Sequence, residues 1–416
     1  MFEQQAWPSA AYPDAGAVME ARVAIDARVE YGRAGGVQQG VVAIASALAA
    51  IERPDPQALT FVTLDGLDDW LRPHLPPGAT VRTVESSGAR RVARHMRASR
   101  PGRLALSAAV ELRNWSARPR SSSGIFESTN SDVALFATQR AELSTIPFVY
   151  VPHDLQHRHL PELFRASERH RREVEYRAYC EAAAMIVVFT EWAADDVAGA
   201  YGIDPERIVV IPPWAPRADR PVVVSKVSVD HPYALFPAQA WPHKNHASLL
   251  EAVSLLRHDG LDVPLVCPGA TGDAAAAVRR QAVTLGIGDL VALPGYVDEL
   301  SMEALWRGAR CLVFPSLFEG WGYPVLEAMD AGVPVACSVG RYLDAVAGDA
   351  ALRFDPIDPC AIADALRTLW LNDAAAEVHV ARGRAHVATF SWRAMGERYG
   401  VVLDRAMASG RRTAAV

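Results

Sequence analysis

Cysteine is scarce in this chain of 416 residues: there are five, Cys180, Cys267, Cys311, Cys337 and Cys360. The number is odd, no Cys-x-x-Cys pair occurs, and most of the five have apolar neighbours. A disulfide scaffold is therefore excluded, and the pattern reads as reduced, buried thiols in a reducing compartment. Long apolar runs are missing too. No stretch approaches the ~18 residues of a membrane span. Met1–Glu20 has no basic end followed by an apolar run, so no signal peptide is expected. Positive charge is not in excess: the formal net charge is −6, which gives no general case for nucleic-acid binding. What remains is ordinary for a globular protein, with 50% hydrophobic and 22% charged residues. The length exceeds one common core, so two domains are expected. The expected location is the cytoplasm, with peripheral contact to the inner face of the membrane left open.

The chain is organised around Phe314-Pro315-Ser316-Leu317-Phe318-Glu319-Gly320-Trp321-Gly322-Tyr323-Pro324-Val325-Leu326-Glu327-Ala328-Met329. An apolar run, Cys311-Leu312-Val313-Phe314, reads as a buried strand. A turn rich in glycine and proline follows, then a helix closed by Gly332 and Pro334. The first amides of a helix lack intrahelical partners, and the dipole makes that end positive. Strand, glycine turn and helix start thus form an anion site, which glycines let a bound group approach closely. Glu319 and Glu327 bracket seven residues of this stretch. A carboxylate repels phosphate but accepts hydrogen bonds from hydroxyls. A ligand with both a diphosphate and sugar hydroxyls, a nucleotide sugar, meets these demands.

Phe318-Glu319-Gly320-Trp321-Gly322-Tyr323-Pro324-Val325-Leu326-Glu327-Ala328-Met329, followed by Gly332-Val333-Pro334-Val335, resembles the donor motif of the retaining glycosyltransferases of family 4. The two glutamates match that family's pair, with seven residues between them. The resemblance implies the GT-B fold: α/β, two Rossmann-like domains facing a central cleft, with a C-terminal helix crossing back to the first domain. It implies that Glu319 holds sugar hydroxyls and Glu327 the ribose. Gly320, Trp321, Gly322, Tyr323, Val325 and Leu326 would line the donor, their backbone amides offsetting diphosphate charge. No metal and no cofactor beyond the nucleotide sugar co-substrate are implied.

Taken in order, residues 1–20 read as a loose lead-in. Val23–Ala27 reads as a strand, Tyr31-Gly32-Arg33-Ala34-Gly35-Gly36-Val37 as a glycine loop and Val37–Ile51 as an amphipathic helix. In the resembled family a Gly-Gly loop faces the donor phosphates, which places Gly35 and Gly36 there; a plain strand-to-helix turn is the alternative. Thr60–Leu64 is the next strand. Between Arg82 and Arg120, ten arginines (Arg82, Arg90, Arg91, Arg94, Arg97, Arg100, Arg103, Arg113, Arg118, Arg120) face two acids, Glu85 and Glu111. Such a run docks on anionic headgroups or is simply a solvated face. Val133–Phe136 and Pro147–Val151 are further strands. The second runs into Pro152-His153-Asp154-Leu155-Gln156-His157-Arg158-His159-Leu160-Pro161, where open α/β sheets hold ligands. A metal site is one reading of this cluster, but no single helix face gathers the three histidines. The resemblance puts His153 by the anomeric carbon with Asp154 supporting it. A long charged helix, Glu162–Ala184, the strand Met185–Glu191, a helix capped by Thr190 and the strand Ile208–Trp214 complete the first half.

The proline-bearing link Pro216–Ser228 marks the expected boundary, giving domains 1–217 (with the terminal helix 391–416) and 218–390. Strands at Tyr233–Pro237, Val263–Pro268, Val291–Leu293, Cys311–Phe314, Val335–Cys337 and Ala351–Phe354 alternate with helices, which argues for a parallel sheet. Lys244 suits a phosphate as a point charge and matches the family's lysine. The usual arginine is replaced by Gln239, a departure that removes a charge. Gly295, Tyr296 and Val297 resemble the loop that meets the nucleobase. Phe390–Met407 reads as the crossing helix and Ser409–Val416 as a frayed tail. The expected reaction is retaining transfer of a hexose to a hydroxyl of a saccharide or glycolipid. The trace of bacterial polysaccharide mannosyltransferases in the Trp241 and His-Asp loops makes GDP-mannose the expected donor. An epimerase on the same fold, a phosphorylase-like enzyme and a non-catalytic sugar-nucleotide scaffold remain as alternatives.

Overall fold

A computed structural model describes residues 19–29, 36–53, 55, 57–64, 68–84, 100–214, 216 and 232–413. Its strands form two sheets, one per half of the chain. The first contains β1 (Val23–Asp26), β2 (Leu59–Leu64), β3 (Thr80–Val84), β4 (Val133–Phe136), β5 (Phe148–Tyr150), β6 (Met185–Val188) and β7 (Ile208–Val210) in the order β3-β2-β1-β4-β5-β6-β7. The second contains β8 (Tyr233–Leu235), β9 (Leu265–Pro268), β10 (Val291–Gly295), β11 (Ala309–Phe314), β12 (Val335–Ser338) and β13 (Leu352–Phe354) in the order β10-β9-β8-β11-β12-β13. Every pairing is parallel. Parallel sheets need cover on both faces, so their central strands are largely apolar; β1, β4, β6, β9 and β12 are buried at every residue, the polar Asp26 and Ser338 at their ends included. The result is the two-domain α/β architecture expected, a Rossmann-like sheet in each half.

Strand order decides where a site forms. In each sheet the order reverses once, between β1 and β4 and between β8 and β11. At such a switch point the following loops diverge and leave a crevice beyond the strands' carboxyl ends. The glycine loop follows β1, the Gln239–Lys244 loop follows β8, and the Pro315–Gly322 turn follows β11.

The terminal helix, Trp392–Thr413, returns to the first sheet. Tyr399, Val402, Leu403 and Ala406 are buried at helical spacing, and the Asp404 carboxylate accepts the Ala21 amide at 2.9 Å. The frayed tail expected from Ser409 is corrected: the helix runs on to Thr413. Four cysteines are buried and none is bonded, but Cys360 is exposed, against expectation, at the start of the helix Pro359–Leu371. Strand β3 was missed from sequence. It is an edge strand with an exposed, mixed pattern, held by β2 and by a Thr60–Thr80 hydroxyl contact of 2.9 Å. Residues 1–18, Gly35, Glu85, Arg90, Arg91, Arg94, Arg97, most of the 216–228 link and residues 414–416 lie outside the described residues. Among the described residues, no helix is long and apolar enough to cross a membrane.

Candidate functional site

Lys244 is one of two lysines in the chain, Lys226 being the other, so 40 of its 42 cations are arginine (42 − 2). That rarity was a signal in the sequence. Its neighbour Asn245 sits at φ 59°, a left-handed conformation that asparagine tolerates better than most residues. Asn245 is buried, and its amide nitrogen donates to the carbonyls of Pro315 (3.2 Å) and Pro356 (2.6 Å). The Leu317 amide donates back to the His243 carbonyl at 2.8 Å. These bonds strap the β8 loop to the β11 loop. They deliver Lys244 Nζ to 2.6 Å from Glu319 Oε1, with both side chains largely buried. An ammonium has three donors, so the pair leaves two for a ligand. Sequence reasoning named both residues but not Asn245, which joins them.

Beyond Glu319 the chain turns into the helix Tyr323–Ala331 through Gly322, at φ 96°. Pro324 brings no amide, and the Val325 amide donates to the Gly322 carbonyl at 3.0 Å. The amides of Gly320, Trp321, Gly322 and Tyr323 have no partner among the described residues. These four consecutive amides are the ones the turn leaves open. The side chains of Val325 and Leu326 are core residues, and Trp321 is buried between Phe189 and Phe390. Glu327 is nearly buried one turn into the helix. Its Oε1 accepts from Gln39 Nε2 at 3.0 Å, across the cleft from the helix Gly36–Ala49. Gln39 carried no signal in the sequence. Gly36 packs on the Tyr323 ring, where a Cβ would sit 3.5 Å away.

The other wall is the turn after β5. His153 holds φ 67°, unusual for a residue with a side chain. Its ring is buried against Phe189, and Nε2 lies 2.9 Å from the Ala137 carbonyl oxygen. A carbonyl only accepts, so Nε2 carries the proton and Nδ1 is left as an acceptor. Burial outweighs that bond and pulls the imidazole down to about 4; the ring is neutral at pH 7. The support expected from Asp154 thus comes from Ala137. Asp154 instead accepts the Gln156 amide at 3.0 Å, and burial raises its carboxyl above the usual range. Gly320 presses directly on this turn: a Cβ there would lie 2.9 Å from the His153 carbonyl and 3.3 Å from Asp154 Oδ2. Between the walls remains a cavity of about 10 Å³, bordered by His153, Asp154, Glu319 and Gly320.

A further cation, Arg172 on the helix Ala166–Ala182, was not singled out. It pairs with Glu168 at 3.1 Å, and its charge acts on both Asp154 and His243. His157 and His159 do not converge with His153. The first packs edge-on against Tyr176; the second bonds Asp196 at 2.9 Å and stacks on Phe318. The described residues hold no metal-ligating group of three or more His, Cys, Asp or Glu. Gln239 and the Gly295–Val297 loop are adjacent through Gly269, whose amide donates to the Gly295 carbonyl at 2.7 Å and which packs on the Gln239 backbone. Tyr296 is exposed. Of the residues singled out from sequence, His153, Asp154, Glu319 and Gly320 border one cavity between the two halves, and Gly35 is not described.

Residues 34–219 match the family model described as Glycosyltransferase Family 4, and residues 231–372 that described as Glycosyl transferases group 1. O-antigen chain mannosyltransferase B of Escherichia coli is 31% identical over 266 residues, 59% of this chain and 70% of that protein. D-inositol 3-phosphate glycosyltransferase of Corynebacterium efficiens is 32% identical over 279 residues, 61% of this chain and 64% of that protein. The crystal structure of Anabaena Alr3699/HepE in complex with UDP and glucose aligns over 92% of this chain and 100% of that one, with TM-score 0.64 and 16% identity. That last likeness is one of fold. The two curated relatives are named for sugar transfer, which does not favour the epimerase alternative.

Proposed function

The chain belongs to glycosyltransferase family 4 and has the GT-B fold, and from that premise we propose that it transfers mannose from GDP-mannose to a hydroxyl of a saccharide or glycolipid, with retention and without a metal. The observation that carries the reading is the Lys244–Glu319 pair at 2.6 Å beside four unpartnered amides, facing His153 across the cleft. The mannosyl donor is supported by the E. coli relative.

The roles follow from chemistry. Glu327 accepts hydrogen bonds from the ribose hydroxyls. Glu319 accepts them from the sugar and holds Lys244 in place. The two remaining Lys244 donors and the amides of Gly320 to Tyr323 meet the diphosphate, whose charge grows as the glycosidic bond breaks. Preorganised donors of this kind contribute about 3–4 kcal/mol each. In the front-face displacement, the acceptor oxygen bonds to the anomeric carbon on the side from which the phosphate oxygen leaves. The electron pair stays on the diphosphate, and the acceptor proton passes to that oxygen. His153, neutral and fixed by Ala137, brings no like charge to the developing oxocarbenium. Gln239 contributes a hydrogen bond without charge.

The test is thermal unfolding against a panel of nucleotides and nucleotide sugars, with Glu327→Ala alongside. A ligand at one hundred times its dissociation constant stabilises by about 2.7 kcal/mol. A shift with GDP and GDP-mannose alone, absent in the variant, is the expected result. A shift with UDP compounds replaces the donor and keeps the transferase. No shift with any nucleotide supports the scaffold alternative.

A further inference from the structure

Two helices meet across the cleft, one from each half of the chain. Helix Gly36–Ala49 follows the glycine loop of the first domain, and helix Tyr323–Ala331 follows the glycine turn of the second. Gly36 and Gly40 are four residues apart, as are Tyr323 and Glu327, and residues so spaced share one helix face. The two faces touch. A Cβ on Gly36 would lie 3.5 Å from the Tyr323 ring, and one on Gly40 would lie 3.5 Å from the Tyr323 hydroxyl and 3.5 Å from His153 Cε1. Glycine at both places lets the helices come this close. At that range the Gln39 side chain spans the gap, and its Nε2 donates to Glu327 Oε1 at 3.0 Å.

The members of this pair differ in access. Glu327 is 9% exposed, set into the second domain, whereas Gln39 is exposed. Apart from its bond to Glu327, Gln39 makes no hydrogen bond among the described residues. Its carbonyl oxygen and second N–H are thus unpartnered there, one acceptor and one donor. A carboxylate has about four lone-pair sites, so Glu327 accepts from Gln39 and from a ligand hydroxyl at once. Nothing requires Gln39 to leave when a ribose arrives.

The reach is sufficient. The Gln39 carbonyl oxygen is two covalent bonds from Nε2, at most about 2.6 Å. It therefore lies within about 5.6 Å of Glu327 Oε1. Hydroxyl hydrogen bonds span up to about 3 Å each, so two neighbouring hydroxyls of one ribose reach both acceptors. A hydroxyl both donates and accepts. The carboxylate only accepts, and the carboxamide supplies the missing donor.

We propose that Gln39 is a specificity-determining residue: it bonds a ribose hydroxyl of the donor alongside Glu327, so that the first domain selects ribonucleoside diphosphates over their deoxy forms. This rests on the transferase reading and on the ribose role of Glu327.

The test is calorimetric titration of wild type, Gln39→Leu, Glu327→Ala and the double variant with GDP, 2′-deoxy-GDP and 3′-deoxy-GDP. The same three forms of UDP are titrated alongside, so the outcome does not hang on the base. Leucine matches glutamine in helix preference, and an unchanged unfolding midpoint checks each variant. Wild type is expected to bind a ribonucleotide more tightly than its deoxy forms. Gln39→Leu should weaken the ribonucleotide about 3- to 10-fold, the size of a lost hydrogen bond, and narrow the gap to one deoxy form by the same factor. The double variant should bind more weakly than Glu327→Ala alone. No further loss in the double variant overturns the inference, because Gln39 then acts only through Glu327. Unchanged affinity in Gln39→Leu overturns it too, and raised affinity overturns it by making Gln39 a competitor of the ribose. Full affinity in Glu327→Ala, with the Gln39→Leu losses as expected, instead overturns the ribose role of Glu327 and leaves Gln39 as the reader. Failure of all six compounds to bind wild type overturns the transferase reading and the inference together.

Discussion

Gly320→Ala adds one methyl group where the two domains touch. Its Cβ would stand 2.9 Å from the His153 carbonyl oxygen, a backbone atom, and 3.3 Å from the Asp154 carboxylate. Neither can move without shifting the turn after β5. Overpacking of this kind costs about 1–3 kcal/mol. The cost falls on the closed arrangement, because the three atoms nearest the added methyl all belong to His153 and Asp154 of the other domain. The closed population, and kcat/KM with it, is expected to fall about 5- to 150-fold. Alanine keeps the amide at this position, so the donor loses no hydrogen bond. The assay is donor turnover, paired with the unfolding midpoint and small-angle scattering in the presence of nucleotide. The variant should unfold at nearly the wild-type temperature, lose turnover and scatter as a larger particle. Gly322→Ala is the control. At φ 96°, with Leu343 Cδ2 2.8 Å from its would-be Cβ, it strains one domain internally and should lower the midpoint. Wild-type turnover in Gly320→Ala, or a loss matched by an equal loss of stability, would refute the reasoning.

Glu327→Ala should weaken nucleotide binding about 10- to 150-fold, the range for hydrogen bonds to a charged group; calorimetry showing unchanged affinity removes its ribose role. His153→Ala should spare donor binding and cut turnover, and normal turnover would make it structural. Stability should also depend on pH. His153, His157, His243 and His246 are each brought down to about 4 by burial, so between pH 6.5 and 4 the unfolded chain binds more protons than the folded one. Their stabilisation is full above pH 6.5 and lost as pH falls towards 4. Urea unfolding should show a falling midpoint across that window, less steep in His246→Phe, where a ring with an unpartnered Nε2, packed against Phe236, no longer titrates. Thr190→Ala removes the hydroxyl that accepts the Ala193 amide at 3.1 Å; about 1 kcal/mol of stability should go, with turnover unchanged.

Much of the site was legible because its parts are local. The β11 strand, the glycine turn, the helix Tyr323–Ala331 and its closing Gly332 follow one another without interruption from Ala309 to Gly332. Apolar runs, glycine and proline decide such units from neighbour to neighbour. Glu319 and Glu327 stood out within that unit, and the resemblance it carries then pointed to Lys244 and His153. Strand β3 was not, because an exposed edge carries no alternation to read and takes its hydrogen bonds from β2. Gln39 was not, because nothing near it in the chain marks it out. Only the tertiary structure sets it on Glu327, 288 residues away, and Lys244 on Glu319, 75 residues away. The same holds for the approach of Gly320 to His153 and for the Ala137 carbonyl that sets the His153 tautomer. By itself the sequence determined two α/β halves, their strand-loop-helix units and the chemical types at the switch points. Which of those groups face one another depends on the order of strands in two sheets and on how the sheets meet, and those relations no stretch of neighbouring residues contains.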